Sequence, residues 1–560
     1  MGMSIIKSWV AFITTLLVWA LVIGSSPIFS WGLAADGHDI NQEETRAHAD
    51  QLEKENVQRK LCSLTRYPNL CTKTLLGLGH INNDHDDIVS ALVQKTRDET
   101  SNQIGILSNT SYQLDQSLLL EGQHNAPAIL GYCCELMNMS LKRLSQSILA
   151  LKKSPTKHKR DIQTWLSAVL TFQMTCKDSI NSALSGSLGR QYSNKMNYLS
   201  RLASNSLALV NAIHGEPKNA TSRRLTTEQQ VFPAEWVSRK DRKLLQTSST
   251  VIQANAVVAK DGSGDFETIS DAIEAASGGR FVIYVKSGMY KEKIHTNKDG
   301  ITLIGDGKYS TIIYNDASAA GGSSMPGSAT FAITGDRFIA RDIGFQNTAG
   351  PKGDQALALN VASDRSVFYR CSIAGYQDTL YALALRQFYR ECDIYGTIDF
   401  IFGNALAVFQ NCDLVLRRPQ SGGFNVILAN GREDPSQDTG FSIQKCRIVA
   451  GSDLASVKHS VESYLGRPWK KYSRSVIMQS TIDDVIKPRG WIEWSGNFAL
   501  NTLYFAEYLN SGPGSGTASR VKWPGYHEIG PKEAVKFTVG EFIGGTEWLP
   551  STGVTFVAGL

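Results

Sequence analysis

The sequence predicts two fold classes in one chain, an N-terminal all-α four-helix bundle followed by an all-β right-handed parallel β-helix. Three observations carry this. Apolar residues follow helical spacing between about residues 45 and 214, as in Ile162, Trp165, Leu166, Val169, Leu170 and Cys176, and again in Tyr198, Leu202, Leu209 and Ile213. Glycine then changes density, with 12 of the 48 glycines in residues 1–245 and 36 in residues 246–560. Finally, similar strand segments recur in the second half: Val367-Phe-Tyr-Arg-Cys371, Gln387-Phe-Tyr-Arg-Glu-Cys392 and Ala407-Val-Phe-Gln-Asn-Cys412, with cysteines 21 and 20 residues apart.

A period of that length suggests a solenoid in which each coil lays a strand on the one before it. Leucine-rich repeats share the period, but their Leu/Asn signature is missing, so a parallel β-helix is the expectation. Runs such as Phe281-Val282-Ile283-Tyr284-Val285 and Ile301-Thr302-Leu303-Ile304 are short, rich in β-branched residues and closed by Gly, Asn or Asp, as strands between turns should be. At 560 residues the chain is too long for one core.

The first 35 residues read as a targeting segment. Lys7 precedes an uncharged stretch from Ser8 to Ala35, densest in apolar residues from Trp9 to Ile23 and ending in the small pair Ala34-Ala35. A cleaved secretory signal is expected, with a signal anchor that holds the pro-form in the membrane as the alternative. Secretion predicts oxidising conditions for the nine cysteines, an odd number that leaves at least one thiol unpaired. It also fits the glycosylation triplets at Asn109, Asn138 and Asn219.

Residues 215–245 form a linker between the halves, with Arg223-Arg224 and Arg242-Lys243 as candidate processing sites, since basic clusters in an exposed linker invite proteolysis. The formal charge of +5 excludes a basic nucleic-acid-binding tail as the main theme. Residues 246–560 carry 30 basic and 31 acidic side chains, so affinity for an acidic ligand there must come from local placement.

The chemistry is expected in residues 246–560. That part has no G-x-S-x-G, H-E-x-x-H or C-x-x-C, and its only histidines are His295, His459 and His527. A Ser-His-Asp hydrolase and a zinc enzyme are therefore disfavoured, and no metal is expected. Carboxylates remain: Asp378 in Gly375-Tyr-Gln-Asp-Thr-Leu380 and Asp399 in Gly396-Thr-Ile-Asp-Phe-Ile-Phe-Gly403, 21 residues apart. If one repeat is one coil, the two stack about 5 Å apart and each raises the other's proton affinity. Asp399 sits among apolar residues and needs a cation, for which Arg467 in Leu465-Gly-Arg-Pro-Trp469 is the candidate. Either Asp alone reads first as a solenoid turn residue held by backbone amides, a reading that the coil spacing of the pair and the adjacent Gln377 weaken.

These three motifs together resemble the signatures of plant pectin methylesterases. Further agreement comes from Ala259-Lys-Asp-Gly-Ser-Gly-Asp-Phe266, Tyr284-Val-Lys-Ser-Gly-Met-Tyr290, Ile339-Ala-Arg-Asp-Ile-Gly-Phe-Gln-Asn-Thr-Ala-Gly-Pro351 and Asp354-Gln-Ala-Leu-Ala-Leu359. The resemblance covers essentially all of residues 250–555, and residues 55–214 resemble the inhibitor-like pro-domain that many of these enzymes carry.

The resemblance implies hydrolysis of C6 methyl esters of homogalacturonan to de-esterified pectin and methanol, without a cofactor. It implies that Asp399 is the nucleophile, Asp378 the general acid and base, Gln377 and Gln355 the oxyanion donors, and Arg467 the residue that orients Asp399. Gln355, Arg467 and Trp469 would contact substrate. Tyr381 and Phe402 would stack on sugar rings, with core packing an equal alternative. It further implies disulfides Cys62–Cys71, Cys133–Cys176 and Cys392–Cys412, with Cys134 left as a thiol.

The expected setting is the cell wall or apoplast, the mature form a monomer, and the partners pectin, a subtilisin-like processing protease and inhibitor proteins, with no nucleic acid. Met325-Pro326-Gly327 departs from the family's pattern before Ser328-Ala329-Thr330 and puts substrate contacts on that loop in doubt. Two rivals stand beside this expectation: a pectin glycosidase or lyase, since paired carboxylates also suit a retaining glycosidase, and a non-catalytic polysaccharide-binding or inhibitor protein.

Overall fold

The computed structural model describes residues 37–79, 81–82, 84–117, 126–184, 186–213 and 253–560. The signal segment, Asn219 and the processing positions Arg223, Arg224, Arg242 and Lys243 lie outside the described residues. The chain divides into units 1–56 and 57–560, and the second unit holds both the bundle and the β-helix.

Among the described residues six helices precede the β-helix: α1 (Gly37–Cys62), α2 (Pro68–Leu76), α3 (His85–Ser117), α4 (Ala126–Lys153), α5 (Pro155–Ala183) and α6 (Gly186–Asn211). Proline opens α2 and α5, where the missing N–H is no loss and the fixed φ suits the first turn. Helices α3 to α6 form the four-helix bundle. Disulfides join Cys62 to Cys71 and Cys133 to Cys176, the second tying α4 to α5. Cys134 is a half-buried thiol. Asn109 on α3 and Asn138 on α4 are exposed. No helix among the described residues is long and apolar enough to cross a membrane.

The second half is a parallel β-helix of three sheets with eleven, seven and eight strands, termed the first, second and third sheets. Each coil visits them in a fixed order. Ser372–Ala374 lies in the third sheet, Leu380–Ala382 in the second and Arg386–Arg390 in the first; Asp393–Gly396, Ile401–Gly403 and Leu406–Gln410 repeat the path one coil on. Register follows the sequence repeat, with Tyr381 beside Phe402 and Val367 beside Phe388. Alternation aims Leu380, Ala382 and Ile401 into the core and turns Tyr381 and Phe402 outward. Inside, Phe368, Tyr389 and Phe409 stack with ring centroids 4.9 and 4.5 Å apart, because in-register parallel strands place like residues one above another.

The same stacking corrects the expected Cys392–Cys412 disulfide. Cys371, Cys392, Cys412 and Cys446 form a buried column of thiols, one per coil. Parallel Cβ vectors a strand spacing of about 4.8 Å apart do not converge as a disulfide requires. Three of the sulfurs instead turn to a carbonyl of the previous coil, Cys392 Sγ donating to Phe368 O (3.3 Å), Cys412 Sγ to Tyr389 O (3.5 Å) and Cys446 Sγ to Phe409 O (3.4 Å), while Cys371 Sγ donates to Tyr369 O (3.5 Å) of its own coil.

Helix α5 shows what joins the two halves. Residues 166 to 172 are buried all round, although Ser167 and Thr171 interrupt the apolar pattern. One face packs in the bundle and the other lies on the β-helix. Ser167 Oγ donates to Asp438 (3.0 Å), and Thr171 Oγ1 accepts from Asn404 Nδ2 (2.9 Å).

Candidate active site

Asp378 and Asp399 occupy equivalent turns, each two residues before a strand of the second sheet. Both have left-handed backbones, φ 59° and 50°, a conformation that Asp tolerates better than bulkier residues. Asp378 N donates to Ile398 O (3.0 Å), which locks the two turns one coil apart. The carboxylates are thereby presented on adjacent coils, as the 21-residue spacing predicts.

Arg467 clamps Asp399. Its Nε donates to Oδ1 at 2.9 Å and its Nη2 to Oδ2 at 2.6 Å, a bidentate pair. The guanidinium follows the strand Ser463–Gly466, two coils beyond Asp399 in the second sheet, so the pairing across 68 residues is a product of coiling. Trp494 and Phe424 hold its faces, with centroids 4.3 and 5.6 Å from Cζ. Sequence reasoning missed both; the Trp-rich stretch Trp491-Ile-Glu-Trp494 was the signal that could have flagged Trp494.

Electrostatics separate the two acids. Burial and then the neighbouring Asp399 charge push Asp378 well above the usual carboxylate range, with Arg467 opposing weakly. Burial also raises Asp399, but the hydrogen bonds and charge of Arg467 pull against it. Asp378 therefore keeps its proton to higher pH than Asp399, which supplies an acid beside an anion.

Gln355 and Gln377 are half-buried and one coil apart, tied by Ala356 N donating to Gln377 O (3.3 Å). The Gln377 turn is braced by Arg417, another residue missed from sequence. It donates to Gly375 O (3.0 Å) and to the Tyr376 hydroxyl (2.7 Å) and lies 3.8 Å from the Tyr376 ring centroid.

Beside the carboxylates an aromatic strip runs along the second sheet. Tyr381 and Phe402 stack at 4.4 Å and 4°, and Trp469 meets Phe402 edge-on at 5.9 Å. The first two face out of the β-helix yet are 1% and 3% exposed, because the bundle covers them. Of the two alternatives held for them from sequence, core packing describes this form, in a core shared between the bundle and the β-helix. They share an apolar cluster with Leu130, Leu136, Met137 and Phe172, and Met325 of the departing loop packs against it. A residual cavity of about 130 Å³ remains, between Thr171 and Thr175 on α5 and Tyr381 and Trp469 below.

Charged contacts surround this apolar seat. Arg143 on α4 grips Asp336 through two bonds of 2.8 and 2.6 Å, and Asp161 on α5 receives Arg386 (2.6 Å) and Arg365 (3.0 Å). Trp165 Nε1 donates to Asp364 (3.1 Å), Arg66 pairs with Asp434 (2.9 Å), Lys470 with Asp178 (2.7 Å) and His295 with Glu135 (2.8 Å).

Comparison with known proteins supplies the context. Residues 255–546 match the family described as Pectinesterase, and residues 56–209 the family described as Plant invertase/pectin methylesterase inhibitor. The chain is 47% identical over 495 residues to "Probable pectinesterase/pectinesterase inhibitor 54" of Arabidopsis thaliana, covering 87% of this chain and 90% of that protein. It is 50% identical over 435 residues to "Pectinesterase 2" of Citrus sinensis, covering 76% and 81%. The solved structure "Pectin methylesterase from Carrot" superposes with a TM-score of 0.55 at 52% identity, over 56% of this chain and all of that one.

Proposed function

This chain belongs to the pectinesterase family and is a carboxylic ester hydrolase, a pectin methylesterase behind an inhibitor-family domain; from that premise we propose how its residues act and how its bundle restrains them. Asp399 attacks the C6 carbonyl of a methyl-esterified galacturonate. The side-chain amides of Gln377 and Gln355 donate to the oxyanion, about 3 kcal/mol for each such donor. Asp378 gives its proton to the departing methanol, then takes one from the water that cleaves the acyl-enzyme. Arg467 keeps Asp399 ionised and aimed.

The observation that carries this is the asymmetric pair: Asp378 raised by burial and its neighbour's charge, and Asp399 held by a bidentate guanidinium. The test is methanol release from highly methylated pectin by residues 246–560, with Asp399→Asn beside it and a viscosity trace. Methanol from the native form alone at steady viscosity is expected; falling viscosity without methanol would move the assignment to a depolymerase.

The bundle restrains the enzyme until the linker 215–245 is cut at Arg223-Arg224 or Arg242-Lys243, a task suited to a subtilisin-like protease. Residues 1–35 direct the chain into the secretory pathway, the product acts on wall pectin as a monomer, and inhibitor proteins of the bundle's kind are further partners. Support comes from the seating of α5 and α4 over Tyr381 and Phe402. A full-length chain as active as the truncated one would overturn the restraint.

A further inference from the structure

A second pocket lies on the seam between bundle and β-helix, on the first sheet rather than the second, and its cations outnumber its anions. It is a cavity of about 540 Å³ whose wall includes Arg160 and Gln163 of α5 and Arg474, Tyr504, Lys536 and Phe537 of the β-helix. Arg474 opens the strand Arg474–Met478. Its backbone N donates to Asn430 Oδ1 (2.8 Å), and its guanidinium has one long bond, Nη1 to Asp438 O at 3.4 Å. Among the described residues no carboxylate comes within ion-pair distance of it.

Every other charge on the wall already has its partners. Arg432 is turned onto the carbonyls of Gln437 (2.8 Å), Pro435 (2.5 Å) and Tyr472 (3.3 Å). Asp438 accepts from Ser167, Glu533 takes Lys536 (2.6 Å) and the Tyr504 hydroxyl (3.2 Å), and Glu541 stands 4.0 Å from Arg160. Among the described residues four cations thus face three carboxylates, and the one cation of the wall with no carboxylate or carbonyl close on its fork is the half-buried Arg474, whose charge burial disfavours while Asp438 and Glu533 support it only from beyond ion-pair distance.

A planar, always-protonated fork in such a place is matched by an oxyanion that accepts two parallel hydrogen bonds. We propose that this pocket binds an oxyanion of the carboxylate or phosphate class, held by Arg474 from the β-helix with Arg160 from α5 beside it. A bound oxyanion neutralises Arg474 and touches both halves at once, so it strengthens the seating of the bundle. The site is separate from the carboxylate pair and does not depend on what Asp378 and Asp399 do.

The test is thermal unfolding of the full chain in inorganic phosphate, in galacturonate and in chloride at matched ionic strength. A saturable rise in Tm with phosphate or galacturonate over chloride is expected, since a ligand that binds only the folded form stabilises it by mass action. Whichever ion saturates at lower concentration identifies the source. The apparent affinity should fall at least tenfold in Arg474→Gln, and measurably in Arg160→Gln, a partly exposed position that serves alone if the first variant does not fold. Equal Tm in all three salts, or a native response kept by Arg160→Gln and by a folded Arg474→Gln, would overturn the site.

Discussion

Replacing Arg467 by Gln removes both bonds to Asp399, 2.9 and 2.6 Å long, in a pair whose side chains are only 18% and 8% exposed. Solvent screens such a pair little, and breaking one by deleting a partner costs about 3–5 kcal/mol. If that stabilisation serves to keep Asp399 an anion, the loss corresponds to about two to three and a half powers of ten in rate at neutral pH. The sign with pH is fixed. Burial already raises Asp399 and Arg467 is what opposes it, so without the guanidinium the carboxyl holds its proton to higher pH and the acid limb of kcat/KM moves upward. The assay is methanol release by residues 246–560 from methylated pectin across pH 5 to 9, with Arg467→Lys as partner variant and a melting curve for each. Lys restores the charge but not the fork, so it should recover part of the rate. Arg467→Gln within tenfold of native at pH 7, with an unmoved acid limb and a native melting curve, would refute the reasoning.

Asp378→Asn removes the proton donor and should lower methanol release by about 10² to 10⁴ and abolish the alkaline limb, which a pH profile of the truncated enzyme checks. Among the described residues Arg143→Met leaves Asp336 with Lys142, at 3.0 Å, as its one ion-pair partner; the loss is near the low end of about 3–5 kcal/mol for a broken buried pair, and full-length activity should rise toward the truncated level. His295 is raised by its hydrogen bond to Glu135, so its contribution to docking is complete below the ordinary value of about 6.5 and is lost as pH rises through the raised one. Asp161 and Asp336 are depressed by Arg386 and Arg143, so theirs is present above about 3.9 and fails in acid. His295→Asn should therefore flatten only the alkaline side of bundle retention, measured by co-elution after the linker is cut. Thiol titration of the native chain should find Cys134 alone reactive, with Cys371, Cys392, Cys412 and Cys446 appearing only on unfolding.

The coil and its carboxylates were legible because both are local. A repeat of 20 or 21 residues makes neighbours of Asp378 and Asp399 whatever lies between, and the turn motifs around them are contiguous. Arg467 was legible only as the partner an apolar-flanked Asp399 demands, since nothing in a sequence separation of 68 measures a distance. The cysteine column misled because sequence gives the spacing of Cys392 and Cys412 but not the direction of their Cβ vectors, and in a parallel stack those directions decide. Trp494 and Phe424 were lost for a simpler reason: an aromatic beside a guanidinium looks in sequence like any core aromatic.

The seam was the least legible feature, and its chemistry explains why. Ser167 and Thr171 on α5 and Asp336 and Asp434 on the β-helix are polar residues whose partners across the seam no sequence spacing reveals, and Asp364, already held by Arg386 of its own half, takes a further donor there. Docking gives every one of them a partner, so the polar groups carry orientation while Tyr381, Phe402 and the bundle's Leu and Phe side chains supply the apolar burial. A seat made only of apolar surface would hold the bundle more simply, but would leave both halves with a large sticky patch once separated. If the bundle restrains the enzyme as proposed, ringing a small aromatic seat with ion pairs makes a cover that is specific while closed and leaves two polar-rimmed surfaces when opened. On the proposed reading the ring also makes the closure answer to pH and to ions, since Asp161, Asp336 and His295 respond to proton activity, and the Arg474 pocket to anion activity, where apolar contacts do not.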